Sequence, residues 1–264
     1  MATARPRRPR ITQDAIDPDA DLIEQLAAHV PKRALVVMAH PDDTEFACGG
    51  TVSTLCRDGW DVQIVVTTSG NKGTKDPEVT AQWLAGEREE EQRHAAEIMG
   101  AREPIFFGFP DGYIRNDDEL RGLIVRQVRI HRPELVLTWD GFRPGFNHRD
   151  HRFTGQATYD AIYPAADDHL YYPLDKDEGL TPHRPIAMLL AGTDDPDYHV
   201  DIEPVLEMKV KAVLAHRSQM GGRSEEQLLR MWRERAQRER ATSADEQPIE
   251  PVLRESFRKV LLRR

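Results

Sequence analysis

One histidine and three acids stand within six residues, directly after a run of apolar residues. The segment MAHPDDTEFACGGT follows the apolar residues 34–37, and it contains His40, Asp42, Asp43 and Glu45. A strand in a hydrophobic core does not normally contain such side chains, because burying an unpaired charge is costly. Their types and spacing therefore indicate that this segment binds a ligand or holds an ionised group for catalysis.

Two further histidines, His148 and His151, lie downstream in the segment NHRDHRFTG. Zinc accepts imidazole nitrogen and carboxylate oxygen, and a catalytic zinc site uses three protein ligands and leaves one position to water. His40, Asp43 and one of the two later histidines would supply that set. HxxH alone is weak evidence, and HPDD alone could be a turn with a capping aspartate. The two segments together predict a divalent metal site.

The acidic and histidine side chains of these segments that are not metal ligands could take part in catalysis. A carboxylate beside the metal can take a proton from an activated water molecule, and Asp42 and Glu45 are both candidates. The remaining histidine can stabilise the oxyanion that forms when the water attacks a carbonyl carbon. The pattern therefore favours metal-assisted hydrolysis over simple metal binding, because a binding site needs no additional carboxylate.

Short apolar runs alternate with helical patterns through most of the chain, and these elements must position the polar residues. The runs are continuous, which is typical of strands buried on both faces of a parallel sheet. Strands are predicted at 34–39, 62–67, 104–107, 135–139 and 186–191, and helices at 21–28, 51–57, 79–99, 117–131, 153–162 and 204–215. This order predicts an α/β fold with a doubly wound sheet.

Polar clusters follow four of the predicted strands. They are the segment from His40 to Glu45 and residues 68–75, 108–113 and 140–151. Ligands of open α/β sheets bind beyond the carboxyl ends of the strands. We therefore expect the four clusters to converge on one site. A dinucleotide-binding function is disfavoured, since no G-x-G-x-x-G follows the first strand.

The chain has 264 residues, a formal net charge of −9 and two cysteines, Cys48 and Cys56. The negative charge argues against a nucleic-acid binder. Two cysteines make no disulfide framework, which fits a reducing compartment. No apolar segment of a secretory signal follows the basic N-terminus, and no run approaches the ~18 apolar residues of a membrane span. We therefore expect a cytoplasmic protein that does not insert into membranes.

Composition divides the chain into three predicted parts. Residues 1–30 form an N-terminal arm with a short helix, and residues 31–223 form the α/β domain. Residues 224–264 are dense in charge and form a predicted helical extension, whose apolar stripe includes Leu228 and Trp232. This extension is either a solvated surface helix or an arm that contacts another subunit. We expect the protein to be a homo-oligomer.

The motifs AHPDDTEFACGGT, TSGNKGTKDP, FPDG and NHRDHRFTG, and a helix with Arg88 and Glu91, resemble those of the PIG-L/LmbE-like family. These proteins are zinc-dependent de-N-acetylases that act on N-acetylglucosamine conjugates. The resemblance covers about residues 33–222. It implies that residues 31–223 are an LmbE-like deacetylase domain, with a Rossmann-like three-layer α/β sandwich and a mostly parallel sheet.

The resemblance also implies roles for the candidate residues. His40, Asp43 and His151 would be the ligands of Zn²⁺. Asp42 would be the general base that deprotonates the zinc-bound water. His148 would polarise the acetyl carbonyl and hold the tetrahedral oxyanion.

Three more residues have implied supporting roles. Asp150 would orient one of the histidines. Arg88 and Asp111 would bind the substrate. Alternatively, Arg88 could form a surface ion pair with Glu90 or Glu91. Likewise, the Asp-Gly pair that begins at Asp111 could be an ordinary turn.

Glu45 and the segment HRSQ, residues 216–219, have less defined roles. Thr44 stands where many family members have another acid or an aliphatic residue, and it leaves His40 and Asp43 in register. Glu45 is then expected to anchor the loop instead of acting as the base. His216 either borders the pocket or interacts with the dipole at the C-terminal end of a helix.

The resemblance leads to one predicted function and two alternatives. The protein is predicted to be a zinc-dependent hydrolase in which a zinc-bound water attacks the N-acetyl amide of an N-acetylglucosamine-type conjugate and acetate is released. Its partner would be a small-molecule amino-sugar conjugate. The alternatives are an amidase that cleaves a larger mycothiol-type conjugate and a non-catalytic metal-dependent binding protein.

Overall fold

Seven strands form one sheet in the part of the chain that the computed structural model describes, which comprises residues 15–18, 20–146, 148–242 and 253–262. They are β1 (Arg33–Met38), β2 (Asp61–Thr68), β3 (Ile105–Phe109), β4 (Leu135–Trp139), β5 (Ala187–Ala191), β6 (Tyr198–Asp201) and β7 (Arg254–Leu261). Their order across the sheet is β3-β2-β1-β4-β5-β7-β6. The strands β3, β2, β1, β4 and β5 run parallel to one another, and β7 is antiparallel to β5 and β6. The predicted mostly parallel sheet is confirmed.

Helices cover both faces of this sheet, which gives the predicted three layers. They are α1 (Leu22–His29), α2 (Asp43–Arg57), α3 (Ala81–Met99), α4 (Asp118–His131), α5 (Arg149–Ile162), α6 (Leu174–Asp177), α7 (Leu206–Ala215), α8 (Arg217–Met220) and α9 (Glu225–Thr242). Ala34, Val36 and Met38 of β1 join the core formed with α1, α2, α3 and α7. Leu35 and Val37 join the core formed with α4 and α5. The two layers of helices thus enclose β1 on both faces.

The predicted N-terminal helix is present as α1, and Asp21 caps it by accepting a hydrogen bond from the Glu24 N–H. Residues 1–14 of the predicted arm lie outside the described residues. Within the described part of the chain, no helix combines the length and the apolar character that crossing a bilayer requires.

Two helices begin earlier than the sequence predicts, and both carry site residues. α2 begins at Asp43 and is kinked at Cys48, where the backbone φ is −148°. α5 begins at Arg149. The polar first turns of both helices resemble loops in sequence. Acids in a first turn are nevertheless favourable because the helix dipole is positive there, and Asp43 and Asp150 occupy such positions.

The C-terminal extension is only partly helical, so the prediction for residues 224–264 is wrong in part. α9 is a helix, but β7 lies between β5 and β6 inside the sheet. Leu253, Glu255 and Phe257 are buried at alternate positions of this segment. The sequence RESFRKVL looks solvated because of its charges, and β6 was not predicted at all. The strand forms because β5 and β6 supply hydrogen-bonding partners on both of its edges.

Glu255 of β7 contacts the helix that carries the first site residues. Its carboxylate accepts hydrogen bonds from the N–H groups of Gly50 and Thr51 at 2.8 and 2.7 Å, and from the Thr51 hydroxyl at 2.6 Å. It also pairs with the buried ammonium of Lys209, which donates to the Phe46 carbonyl at 3.1 Å. These N–H groups begin the second half of α2, after its kink. The carboxylate therefore caps that half of the helix.

We expect Glu255→Ala to destabilise the fold by about 3–5 kcal/mol, because it leaves the Lys209 charge buried and unpaired. It also deprives two helix N–H groups of their acceptor. Urea denaturation followed by circular dichroism measures the change in the free energy of unfolding. Glu207→Ala, at an exposed position on the same helix as Lys209, is the control. A loss below ~1 kcal/mol, the level of an ordinary substitution, would contradict this account.

Candidate active site

The carboxyl ends of β1, β2, β3 and β4 lie side by side at one edge of the sheet. His40 follows β1, Asp111 follows β3, and Asp150 and His151 follow β4. Nitrogen-to-oxygen distances of 3.3 Å join His40 to both Asp111 and Asp150, so residues from three strand ends meet at one point. The loop after β2 joins them through the Gly70 carbonyl, which accepts a hydrogen bond in the wall of the site.

Three ligand-type groups form what we call the ligand triangle: His40, Asp43 and His151. His40 Nδ1 lies 3.3 Å from Asp43 Oδ2 and 3.2 Å from His151 Nε2. His151 Nε2 lies 3.1 Å from Asp43 Oδ1. Two ligand atoms at the tetrahedral angle around zinc, each about 2.0–2.1 Å from it, would be about 3.4 Å apart. The spacing of His40 Nδ1 and His151 Nε2 and the donor types therefore fit a zinc ion, with one Asp43 carboxylate oxygen facing each histidine.

A second possible set of ligands overlaps with the ligand triangle. Ring nitrogens of His40, His148 and His151 also lie within 4.8 Å of one another. In this set His148 is exposed, whereas Asp43 of the ligand triangle is buried. The triangle with Asp43 is thus the better fit, and it leaves His148 available for another role.

Trp139 holds two members of the ligand triangle in place. Its ring stacks on His151 with 4.2 Å between centroids, and its Nε1 donates a hydrogen bond to Asp43 Oδ2 at 3.1 Å. Phe146 packs edge-on against the rings of both Trp139 and His151, at 5.5 and 5.3 Å. Trp139 is not among the site residues predicted from the sequence. Its position at the end of a strand next to the polar loops was the available indication.

Two carboxylates hold the other ring nitrogen of His40. His40 Nε2 lies 3.3 Å from both Asp150 Oδ2 and Asp111 Oδ1. Asp150 also accepts a hydrogen bond from the Gly112 N–H at 2.6 Å. A proton kept at Nε2 leaves the Nδ1 lone pair directed into the ligand triangle, which is the tautomer that a metal ligand needs.

The charges around His40 favour a cation at this point. Burial lowers the pKa of His40, but the charge of Asp43 and hydrogen bonds with Asp111, Asp150 and Asp43 outweigh burial and raise it to about 12. Burial also opposes the ionisation of Asp43, yet the charges of His151 and His40 hold its pKa well below the usual range. The carboxylates around His40 therefore favour positive charge here, whether as a second proton on the imidazole or as a cation bound at Nδ1 in place of that proton.

Asp42 lies beside the ligand triangle without being part of it. Burial raises the pKa of its carboxyl to about 6, although the charge of Arg88 lowers it. A carboxylate with a pKa near neutrality can accept a proton at pH 7 and return it. Glu45, the other candidate base, is fully buried against His216 and Gln92, so it has no surface through which to meet a water molecule.

Arg88 is buried in the wall of the site, so the alternative of a surface ion pair is wrong. It is 3% exposed, and it donates hydrogen bonds to the carbonyls of Gly70, at 2.9 Å, and Pro41. It also lies 3.1 Å from Asp42 Oδ2. A Cβ atom on Gly70 or Gly73 would overlap the guanidinium, so these glycines let the loop close over it. Arg88 therefore holds the Asp42 carboxylate, and direct contact with a substrate stays a prediction.

His148 stands at the entrance of the site, as the residue that precedes α5. Its side chain makes no capping hydrogen bond. Its ring lies edge-on to His40 and stacks on His151, both with 4.5 Å between centroids. Burial and the charges of His40 and His151 lower the pKa of His148, which favours the neutral ring with its one N–H donor. Because this residue is exposed, that donor can reach a bound molecule.

Tyr113 lies on the rim of the site, and sequence analysis did not identify it. Its ring is 68% exposed, with the Lys72 ammonium 4.3 Å from the ring centre. Lys72 also donates a hydrogen bond to the Asp111 carbonyl, which ties the loop after β2 to the loop after β3. The open aromatic face offers apolar contact area next to the polar groups of the site.

Residues 35–162 match the family described as GlcNAc-PI de-N-acetylase, or PIG-L. The diacetylchitobiose deacetylase of Thermococcus kodakarensis is 37% identical over 188 residues, which cover 71% of this chain and 70% of that protein. This chain belongs to the PIG-L family. The predicted resemblance is thereby confirmed. The PIG-L family is hydrolytic and metal-dependent, and the site of this member contains a possible metal-binding group of histidines and aspartates.

Two further matches agree with PIG-L membership. The 1D-myo-inositol 2-acetamido-2-deoxy-alpha-D-glucopyranoside deacetylase of Mycobacterium sp. strain JLS is 29% identical, over 78% of this chain and 79% of that protein. The structure of N,N'-diacetylchitobiose deacetylase from Pyrococcus horikoshii, bound to an inhibitor, has a TM-score of 0.77 and 27% identity. That alignment covers 91% of this PIG-L chain and 90% of the other.

The structure of 4-carboxy-2-hydroxymuconate hydratase from Pseudomonas putida also resembles this PIG-L protein. Its TM-score is 0.72 at 23% identity, over 88% of this chain and 97% of that chain. At this identity the likeness concerns the fold alone. Because the same fold also occurs in a hydratase, the fold does not determine which reaction is catalysed. The function must therefore be inferred from the residues of the site.

Proposed function

We propose that this PIG-L protein is a zinc-dependent deacetylase that removes the N-acetyl group from a small N-acetylglucosamine-type conjugate. The observation that carries the proposal is the ligand triangle with the separate carboxylate of Asp42 beside it. A protein that only binds a metal needs no such carboxylate. The names of two relatives, a diacetylchitobiose deacetylase and an inositol-linked acetamido-sugar deacetylase, support the substrate class.

The ligand triangle would hold the zinc ion and leave one position open. When bound, the ion supplies a Lewis acid that polarises a carbonyl and lowers the pKa of a water molecule. Asp150 and Asp111 keep the tautomer of His40, and Trp139 orients Asp43 and His151. These neighbours pre-organise the site, so little rearrangement is needed at the moment of reaction.

Asp42 would move the proton. Its carboxylate takes a proton from the attacking water as the water oxygen forms a bond to the acetyl carbon. The same proton then passes to the amide nitrogen as the carbon–nitrogen bond breaks. One water molecule is consumed, and acetate and a free amine are the products. Arg88 keeps the carboxylate in position during both transfers.

His148 would stabilise the negative charge that develops on the former carbonyl oxygen. Its neutral ring can donate one hydrogen bond, and its position at the entrance of the site allows it to face the acetyl group. This charge is larger in the transition state than in the amide, so such a donor acts mainly on kcat.

Asp111 and Tyr113 mark where the sugar would bind. The Asp111 side chain is 14% exposed next to His40, so it can also accept from a sugar hydroxyl. Tyr113 offers an open ring face on which a sugar can pack. A cytoplasmic location and a homo-oligomer, both expected from the sequence, stay predictions.

Zinc-loaded protein should release acetate and a free amine from diacetylchitobiose or a related N-acetylglucosamine conjugate. Amine release is measured by fluorescamine and acetate by an enzymatic assay, and a chelator should stop both. A mycothiol-type conjugate with a larger amide belongs in the same substrate panel. Cleavage of that amide alone would favour the amidase alternative. Absence of turnover on the whole panel would contradict the proposed function.

His151→Ala should reduce the zinc content from about one ion per chain to a small fraction of that, because it removes one of three ligands. Mass spectrometry of the metal after dialysis measures the content directly, without an activity assay. His94→Ala, at an exposed histidine on α3, should keep its zinc. If His151→Ala retains the full zinc content, the ligand triangle is not the metal site.

A further inference from the structure

Asp42 adopts a main-chain conformation that is rare for a residue with a side chain. Its φ is 104° and its ψ is −26°, in the left-handed region. Such a conformation is strained, and it persists only where the surrounding contacts hold it in place. The groups that hold the main chain of Asp42 therefore decide where its carboxylate lies.

Gln92, on α3, holds the backbone N–H of Asp42. Its Oε1 accepts a hydrogen bond from that N–H at 3.0 Å, and its Nε2 donates to Glu45 Oε1 at 2.7 Å. Gln92 and Glu45 are both fully buried. The Gln92 amide therefore presents its oxygen to Asp42 and its nitrogen to Glu45, whose carboxyl oxygen accepts from that nitrogen and so fixes the orientation of the amide.

His216 extends this chain of contacts to the segment HRSQ. Its Nε2 lies 3.1 Å from Glu45 Oε2, and both side chains are fully buried. Burial lowers the pKa of His216, but the charge of Glu45 outweighs burial and raises it. Glu91 accepts hydrogen bonds from the Ser218 N–H and hydroxyl at 2.7 and 2.6 Å, which fixes HRSQ against α3.

We infer that Gln92, Glu45 and His216 are positioning residues for proton transfer, and that they act through the main chain of Asp42. We call these three residues the Asp42 support. His216 pairs with Glu45, Glu45 orients the Gln92 amide, and the amide holds the Asp42 N–H. The inference rests on the proposed role of Asp42 as the proton acceptor.

A role in stability alone is the alternative, and two observations weigh against it. A buried ion pair such as that of Glu45 and His216 contributes little to stability, because the desolvation of both charges offsets their attraction. An apolar pair of similar volume would serve a core at least as well. The chain of contacts also leads to the strained residue beside the ligand triangle, where a change in position affects the chemistry.

Gln92→Met keeps the length of the side chain and removes both hydrogen bonds. We expect kcat to fall by about ten- to a hundredfold, the usual effect of losing a residue that orients a catalytic group. KM should change by less than about twofold, because substrate contacts are not removed. The zinc content should be unchanged. Gln82→Met, at an exposed glutamine on the same helix, should keep wild-type kinetics.

Hydrogen exchange provides a readout that does not depend on activity. In the zinc-loaded protein, the amides of residues 40–46 should exchange faster in Gln92→Met than in wild type, because the Asp42 N–H loses its acceptor. The same amides should be unaffected in Gln82→Met.

An exchange of side chains tests the orientation argument. Gln92→Glu alone sets two carboxylates against each other across a contact of 2.7 Å in the wild type, whereas Glu45→Gln alone keeps an amide oxygen that can accept from Gln92 Nε2. The double variant restores a donor facing an acceptor, and the new carboxylate on α3 still accepts from Asp42. Gln92→Glu should lose at least about tenfold in kcat, Glu45→Gln should lose less, and the double variant should recover to within about threefold of wild type.

Wild-type kcat in Gln92→Met, with unchanged exchange at residues 40–46, would overturn the inference. A loss of kcat that equals the loss of bound zinc, or a double variant no better than Gln92→Glu, would overturn it as well. Failure of the proposed function is a separate result, since it would appear as absence of turnover in the wild type. In that case, faster exchange in Gln92→Met would still indicate that the Asp42 support holds the backbone of residues 40–46.

Discussion

Replacing Asp42 with asparagine should leave the zinc content unchanged and lower kcat by about 10²–10⁴-fold, the usual effect of removing a general base. Asparagine keeps the size of the side chain and an oxygen that can face Arg88, but its amide does not accept a proton near neutral pH. Asparagine also tolerates left-handed backbone, so the φ of 104° can be kept. The loss would therefore measure proton transfer instead of folding.

Kinetics, zinc content and melting temperature should be measured on the same preparation of Asp42→Asn. Asp58→Asn, at an exposed position after the last turn of α2, is the matched control and should behave like wild type. Activity within a few-fold of wild type would show that another group takes the proton. Glu45 would not be the obvious substitute, because it is fully buried.

His148→Ala should keep its zinc and lose about 10²–10³-fold in kcat, as expected for a lost oxyanion donor. The physical reason is that the imidazole N–H stabilises the charged oxygen more than the neutral amide oxygen. KM should therefore change little. The melting temperature should also change little, because the side chain is exposed and makes no capping hydrogen bond.

Three measurements on His148→Ala separate three roles for this histidine. A loss of zinc would make it a metal ligand, as the set of His40, His148 and His151 allows. A lower melting temperature with unchanged kcat would make it a structural loop residue. His169→Ala, at another exposed histidine, should change none of the three quantities.

Part of the ligand triangle could be predicted from the sequence because it is local. His40 and Asp43 stand three positions apart after a buried strand, so one turn brings them together. The HxxH pattern left His148 and His151 equivalent, and the family resemblance assigned His151 to the metal. The structure distinguishes them physically, since His151 packs on Trp139 and contacts Asp43 whereas His148 is exposed.

The strands β1 to β5 were also predictable, because each contains an apolar run, and β1, β2, β4 and β5 are buried along nearly their whole length. β6 and β7 lack such a run, since charged or polar side chains occupy several positions in each of them. Whether such a segment is a strand depends on an edge that accepts it. Here that edge is β5, which pairs with β7 from Ala187 to Ala191.

Which polar residues support the site was decided only by the tertiary structure. Arg88 and Gln92 contact the segment around Asp42 across 47 and 50 positions, and Glu255 contacts Gly50 across 205 positions. The pattern of a helix or a strand places charged side chains in solvent, because an unpaired charge is costly to bury. That cost is offset here by partners that the fold brings from distant parts of the chain. Local sequence was sufficient to predict His40 and Asp43 as ligands and β1 to β5 as strands. Contacts between distant parts of the chain determined which residues hold Asp42 in place.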